Sequence, residues 1–122
     1  MISVHKYLLV IGLLVIFVFA LLPGQLTPAY VVNHDKAAHA LAFFMLSLML
    51  VRAFPGWFLP ARLISLALLA LMIEAMQYLF VGRGFSVEDL LYDIAGALLF
   101  VMVSQSYSVF WKVFDKLSTR AR

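Results

Sequence analysis

The stretch NHDKAAHALAFFMLSLMLVRAFPG, residues 33–56, places an acid, a base and an imidazole at the mouth of an apolar run. The run covers about 37–54 and stops at Pro55 and Gly56, a strong helix-breaking pair. Its length approaches the ~20 residues a helix needs to cross a hydrocarbon core. The whole chain has the same character. It is 122 residues long, 66% hydrophobic and 12% charged, with a mean hydropathy of +1.06. A soluble domain is about 45–50% apolar, and a core of this size cannot hide the excess from water. The chain has no cysteine, which removes disulfides, thiolate nucleophiles and zinc–thiolate sites. No basic patch is interleaved with aromatics, so nucleic acid is set aside as a partner.

Three further apolar segments follow the same pattern. One covers about 7–22 and ends at Pro23-Gly24; one covers 63–81 and ends at the Gly82-Arg83-Gly84 turn; one covers 90–111. The expected fold is all-α: a single domain, 1–122, forming an integral membrane bundle of four transmembrane helices. The first segment has Lys6 before it but no small-x-small cleavage site after it, and reads as an uncleaved first helix. Lys6, Arg52, Arg62, Lys112, Lys116, Arg120 and Arg122 lie on one side of such a bundle. Lys36 and Arg83 alone, of the nine Lys and Arg, lie on the other. The positive-inside rule then places both termini in the cytoplasm, with Trp57 and Trp111 at the inner interface.

The acids sort the other way. Asp35, Glu74, Glu88, Asp89 and Asp93 belong to the outer half, and only Asp115 to the inner. Residues three or four apart share a helix face. Asp35 with His39, Glu74 with Gln77, and Asp89 with Asp93 are therefore three facing pairs at one end of the bundle. A lone acid at the bilayer centre costs about 2.5–3.5 kcal/mol on insertion scales, so Glu74 and Asp93 are expected to turn inward and find partners. Each residue also has a plainer role available. Asp35 suits an N-cap, and Ser86 with Asp89 has the spacing of a capping box. Gly96 suits close helix packing. Glu74 sits mid-helix, where it has no capping role, and Arg83 at the end of the same helix is its expected partner. Ser104, Gln105 and Ser106 are expected to form interhelical hydrogen bonds in the inner half.

The runs DKAAH (35–39), EAMQ (74–77), GRGFSVED (82–89) and DIAG (93–96) together resemble the VanZ-like family. That family's pattern is Asp-Lys-x-x-His entering a helix, Glu-x-x-Gln on the next, an Arg, Ser-x-x-Asp, then Asn-x-x-Gly. The resemblance covers roughly 33–103. It implies a small multi-pass protein of the bacterial cytoplasmic membrane. Founding members are linked to resistance to the glycopeptide teicoplanin, with no established reaction. This chain departs twice: Asp93 stands where the family more often has Asn, and Phe100 where a second glycine often follows.

Two readings of function stand at this point. In the first, an outer-face polar pocket binds or acts on a lipid or cell-envelope component, with glycopeptide resistance as an expected link. His39, Glu74 and Asp89 are then the catalytic candidates, His39 with Asp35 forming an acid/base pair. Asp35, Lys36, Gln77, Arg83, Ser86 and Asp93 are the binding candidates, Lys36 and Arg83 being suited to a phosphate or carboxylate. In the second, the protein is a non-catalytic membrane accessory or binding module, and the polar set is a structural salt-bridge network. The donor set fits no recognised metal-ligand spacing, so no metal is assigned; the cofactor and the oligomeric state are left open. The expected partners are membrane lipids and a lipid-linked or cell-wall ligand at the outer face.

Overall fold

A computed structural model of the chain describes residues 4–23, 25–26, 29 and 34–120, with side chains described as far as 109. The expectations resting on Gly24, Asn33, Trp111, Lys112, Asp115, Lys116, Arg120 and Arg122 concern backbone or side chains outside that description. The described residues form an all-α, multi-span bundle. Its helices are α1 (Val4–Leu21), α2 (Asp35–Ala53), α3 (Leu59–Met76) and α4 (Val87–Arg120), with a π-helical turn, Gln77–Val81, continuing α3. Three segments, Val4–Leu21, Asp35–Ala53 and Leu59–Val81, are long and apolar enough to cross a membrane.

The helix ends differ from the sequence-based boundaries for identifiable reasons. Helix α3 begins at Leu59 and not at 63, because Pro60 occupies its first turn, where a missing amide hydrogen costs nothing. Helix α2 begins with Asp35 as its first helical residue. His34 is the N-cap, so Asp35 favours the helix dipole without capping the helix. Just past the end of α2, Arg62 donates to the carbonyls of Phe54 (3.4 Å) and Pro55 (2.9 Å), pinning the turn that leads into α3. The π turn closes at Gly82, whose φ of 69° is left-handed and suits glycine. Helix α4 continues from the expected end at 111 to Arg120, a length of 34 residues. At 1.5 Å per residue that is about 51 Å, well beyond a ~30 Å hydrocarbon core.

The core runs along α2, α3 and α4. Phe43, Leu46, Leu50, Leu66, Ala70 and Ile73 are buried in it. Helix α4 packs principally on α2, and Gly96 makes this possible. A Cβ at Gly96 would stand 2.0 Å from the Ala40 carbonyl oxygen, so the two backbones touch there. Phe100, in place of the family's second glycine, meets Phe44 edge-on with ring centroids 5.5 Å apart. Helix α1 packs at the edge of this core. Leu9 is its one buried residue, and Val4, Leu8, Val10, Leu14 and Val18 are exposed apolar side chains, as expected of a surface solvated by lipid.

The two ends of the bundle have opposite chemistry. At one end, Lys6 lies 5.2 Å over the Phe54 ring, Trp57 stacks on Phe54 at 4.7 Å, and Arg62 holds the α2 terminus. At the other end, Asp35, His39, Glu74, Arg83, Asp89 and Asp93 gather. Ser104 and Ser106 are exposed and donate to carbonyls of their own helix, Val101 and Met102. They are therefore not the interhelical bridges expected, because their hydroxyls are satisfied one turn back along α4.

Candidate functional site: the polar end of the bundle

Lys36 and His39, one turn apart on α2, face α4 and carry most of the contacts. The Lys36 ammonium lies 3.1 Å from the Glu88 carboxylate and makes a short ion pair with Asp89. His39 Nδ1 lies 2.9 Å from Asp93 Oδ1. With Asp93 ionised, Nδ1 donates this bond and Nε2 turns the other way. There it lies 3.9 Å from both Asp35 Oδ1 and Asp89 Oδ2, too far for hydrogen bonds. Asp35 in turn meets the Arg83 guanidinium at 3.6 Å. Asp89 and Asp93 are buried, Asp93 completely. Burial of a carboxylate is tolerable only with partners, and both acids have them across the helix interface.

Arg83 is thus the partner of Asp35 and not of Glu74. Glu74 is 1% exposed, and its Oε2 accepts a 2.9 Å hydrogen bond from the Ser86 backbone amide. The spacing of Ser86 and Asp89 is that of a capping box, and half of it forms: the Asp89 amide donates to Ser86 Oγ at 3.1 Å. The usual reciprocal bond, donated by the N-cap amide to the acid at the third helical residue, goes instead to Glu74 on another helix. Asp89 is drawn off to Lys36. Glu74 therefore does have a capping role, across helices, which its mid-helix position in the sequence concealed.

Gln77 lies in the π turn and is buried. Its amide donates to the Ala20 carbonyl (3.1 Å), covering a terminal acceptor of α1. Neither Gln77 nor His39 hydrogen-bonds Glu74 among the described residues. Two buried carboxylate oxygens, Glu74 Oε1 and Asp93 Oδ2, have no hydrogen-bond partner among them either. Asp35, His39 and Asp89 each offer one donor atom, all within 4.8 Å of one another, a spacing that can hold a cation. Ser86 Oγ is occupied by the Asp89 amide, with no hydrogen bond to His39 among the described residues, so no Ser-His-Asp relay is assembled.

A cavity of about 250 Å³ opens beside this cluster, lined by Asp35, His39, Gln77, Arg83 and Asp93 on its polar side. Its remaining wall includes Val15, Ile16 and Phe19 of α1. Sequence reasoning did not foresee these three, since nothing distinguishes them from other apolar residues of a membrane helix.

The chain matches the VanZ/LLP1 family model over residues 5–111. It belongs to the VanZ/LLP1 family. The match takes in α1 as well as the motif-bearing run of 33–103, so the helix that closes the cavity is part of the family domain. The chain is accordingly a multi-pass membrane protein of that family with a buried polar cluster at one end. No curated protein and no solved structure matches it.

Proposed function

We propose that the protein is a four-span component of the bacterial cytoplasmic membrane that works as a non-catalytic accessory or binding module. Helix α4 is the fourth span, both termini are cytoplasmic, and the polar end faces outward toward lipid or envelope components. The polar cluster is a structural network that fixes the register of α2 against α4. The observation that supports this reading is the pairing itself. Lys36 is held by Glu88 and Asp89, Arg83 by Asp35, and the His39 ring by Asp93. A site prepared for proton transfer keeps an acid or base free to reach its substrate. Here Glu74 Oε2 caps α4 through Ser86 and Asp89 is engaged by Lys36, which fits both to the frame of the bundle. The seven-to-two division of Lys and Arg supports the orientation.

Charge reversal tests the network. Lys36→Glu and Asp89→Lys should each lower the melting temperature of the detergent-solubilised protein, and the double variant should recover most of the loss. A double variant no more stable than either single one rejects the network. Reporter fusions in the 82–86 loop should read as external; a cytoplasmic signal rejects the orientation.

A further inference from the structure

Asp93 does more than orient His39. It is completely buried, it lines the cavity between α1, α2 and α3, and its Oδ2 has no partner among the described residues. A buried carboxylate oxygen left unmet is costly, so an occupant of the cavity is favoured if it brings a hydrogen-bond donor. The charges lining the cavity are two carboxylates, Asp35 and Asp93, against one guanidinium, Arg83. With His39 neutral the balance is negative and with His39 protonated it is zero, so the lining does not favour a lone anion and suits a ligand that carries a cationic donor together with an anion. Arg83 is 41% exposed and meets Asp35 through a single 3.6 Å contact. Among the described residues, most of its five N–H donors are left for an anion, and phosphate suits their geometry.

The rest of the wall is hydrocarbon. Val15, Ile16 and Phe19 of α1 and Ala42 and Phe43 of α2 line it, at the depth of two apolar spans. Val15 and Phe19 are themselves 48% and 47% exposed, so the cavity is bounded on that side by groups that also face lipid. A volume of about 250 Å³ holds roughly eight water-sized groups at ~30 Å³ each. That is enough for a headgroup and its first methylenes but not for whole acyl chains.

We propose that this cavity binds the headgroup of a membrane lipid that carries a primary ammonium beside a phosphate, the ammonium on Asp93 and the phosphate on Arg83. The proposal names the ligand of the binding module inferred above, and rests on its membrane orientation.

Native mass spectrometry of the full-length protein in detergent tests it, with phosphatidylethanolamine, phosphatidylcholine and phosphatidylglycerol of identical chains. A quaternary ammonium has no N–H to donate, and phosphatidylglycerol has no ammonium. The ethanolamine lipid should therefore be retained about tenfold or more over the other two. Asp93→Asn keeps the side chain's shape and places there the residue the family pattern more often carries; it should remove that preference. Val15→Trp fills the cavity away from the charged residues and should abolish retention of all three lipids, which keeps the test decisive should Asp93→Asn not fold. Free phosphoethanolamine should fail to displace the bound lipid. Equal retention of the ethanolamine and choline lipids overturns the proposal, as does an unchanged preference in Asp93→Asn. Displacement by free phosphoethanolamine overturns the lipid in favour of the soluble headgroup. Any of these results, with charge-reversal rescue at Lys36 and Asp89 intact, removes the ligand and leaves the network standing.

Discussion

Two helix seams in this bundle each carry a glycine, and different things meet them. At the α2–α4 seam, the space a Cβ would need at Gly96 is taken by the backbone of Ala40, with the carbonyl oxygen 2.0 Å away and Cα 2.9 Å away. At the α1–α2 seam, the space at Gly12 is taken by the end of the Met49 side chain, with Sδ at 2.7 Å. Backbone cannot step aside, whereas a thioether can rotate. The first seam is also crossed by the ion pairs of Lys36 and the His39–Asp93 contact. By contrast, α1 is tied through the Gln77 amide on Ala20 and through Lys6 over the Phe54 ring, and the length between them is hydrocarbon. Close approach and buried charge thus occur together. Where backbones touch, polar groups on the two helices come within reach of one another, and the helix rotation that satisfies one pair satisfies the rest.

The largest effect is expected from breaking the tight seam. Gly96→Ala should drive α2 and α4 apart and misalign every pair across them, at a cost upward of about 3 kcal/mol, beyond ordinary overpacking. The expected result is a loss of monodisperse protein on size-exclusion chromatography in detergent. A variant that elutes and melts like the parent would mean the helices do not meet at Gly96.

The helices themselves were legible in the sequence, and their partnerships were not. Four apolar runs, separated by Pro-Gly, loop and glycine-turn signals, located the four helices of the described residues, three of which are long and apolar enough to cross a membrane. The gathering of acids at one end was equally plain, since a residue's height in a bundle follows from its position in the run. Rotation about each helix axis does not follow from the run. Arg83 lies close to Glu74 along the chain and was expected to reach back to it, yet it faces Asp35 on α2. The capping-box spacing of Ser86 and Asp89 was visible. That Glu74 completes the box from α3 depends on how the π turn and Gly82 fold the chain back. The extension of α4 to Arg120 was missed for another reason: past 111 the sequence turns polar, and the apolar run no longer marks where the helix ends.

A middle-sized effect is expected at Glu74, which fastens α3 to the start of α4. Glu74→Ala leaves the part-buried Ser86 amide without its partner, at a cost toward the lower end of the about 1–3 kcal/mol of an unmet buried donor. Glu74→Gln keeps an acceptor at the same reach and should lie within about 1 kcal/mol of the parent if hydrogen bonding is the whole role. Thermal melts of both variants separate the cases. If Gln is as damaging as Ala, the negative charge is needed there, and the capping account of Glu74 is incomplete. If Gln folds as the parent does but loses lipid retention, Glu74 belongs to the binding site and not only to the frame.

The smallest effect is expected at the loose seam, where it bears most directly on the comparison. Gly12→Ala introduces a methyl group that the Met49 sulfur now occupies. Met49 has three rotatable bonds and is only partly buried, packed against the core from its edge. Repacking should therefore cost little. It is opposed by the better helix propensity of alanine, worth roughly 0.8–1 kcal/mol over glycine in a helix interior. The two terms nearly cancel, and the melting temperature should stay close to the parent's while Gly96→Ala fails to yield folded protein. If Gly12→Ala is instead as damaging as Gly96→Ala, Met49 is not free to move, and α1 is fitted to α2 as closely as α4 is. Combining Gly12→Ala with Met49→Ala separates these outcomes. Removing the obstructing thioether should leave the alanine at position 12 without penalty, and any penalty that persists lies in the backbone of α1 and not in its contact with α2.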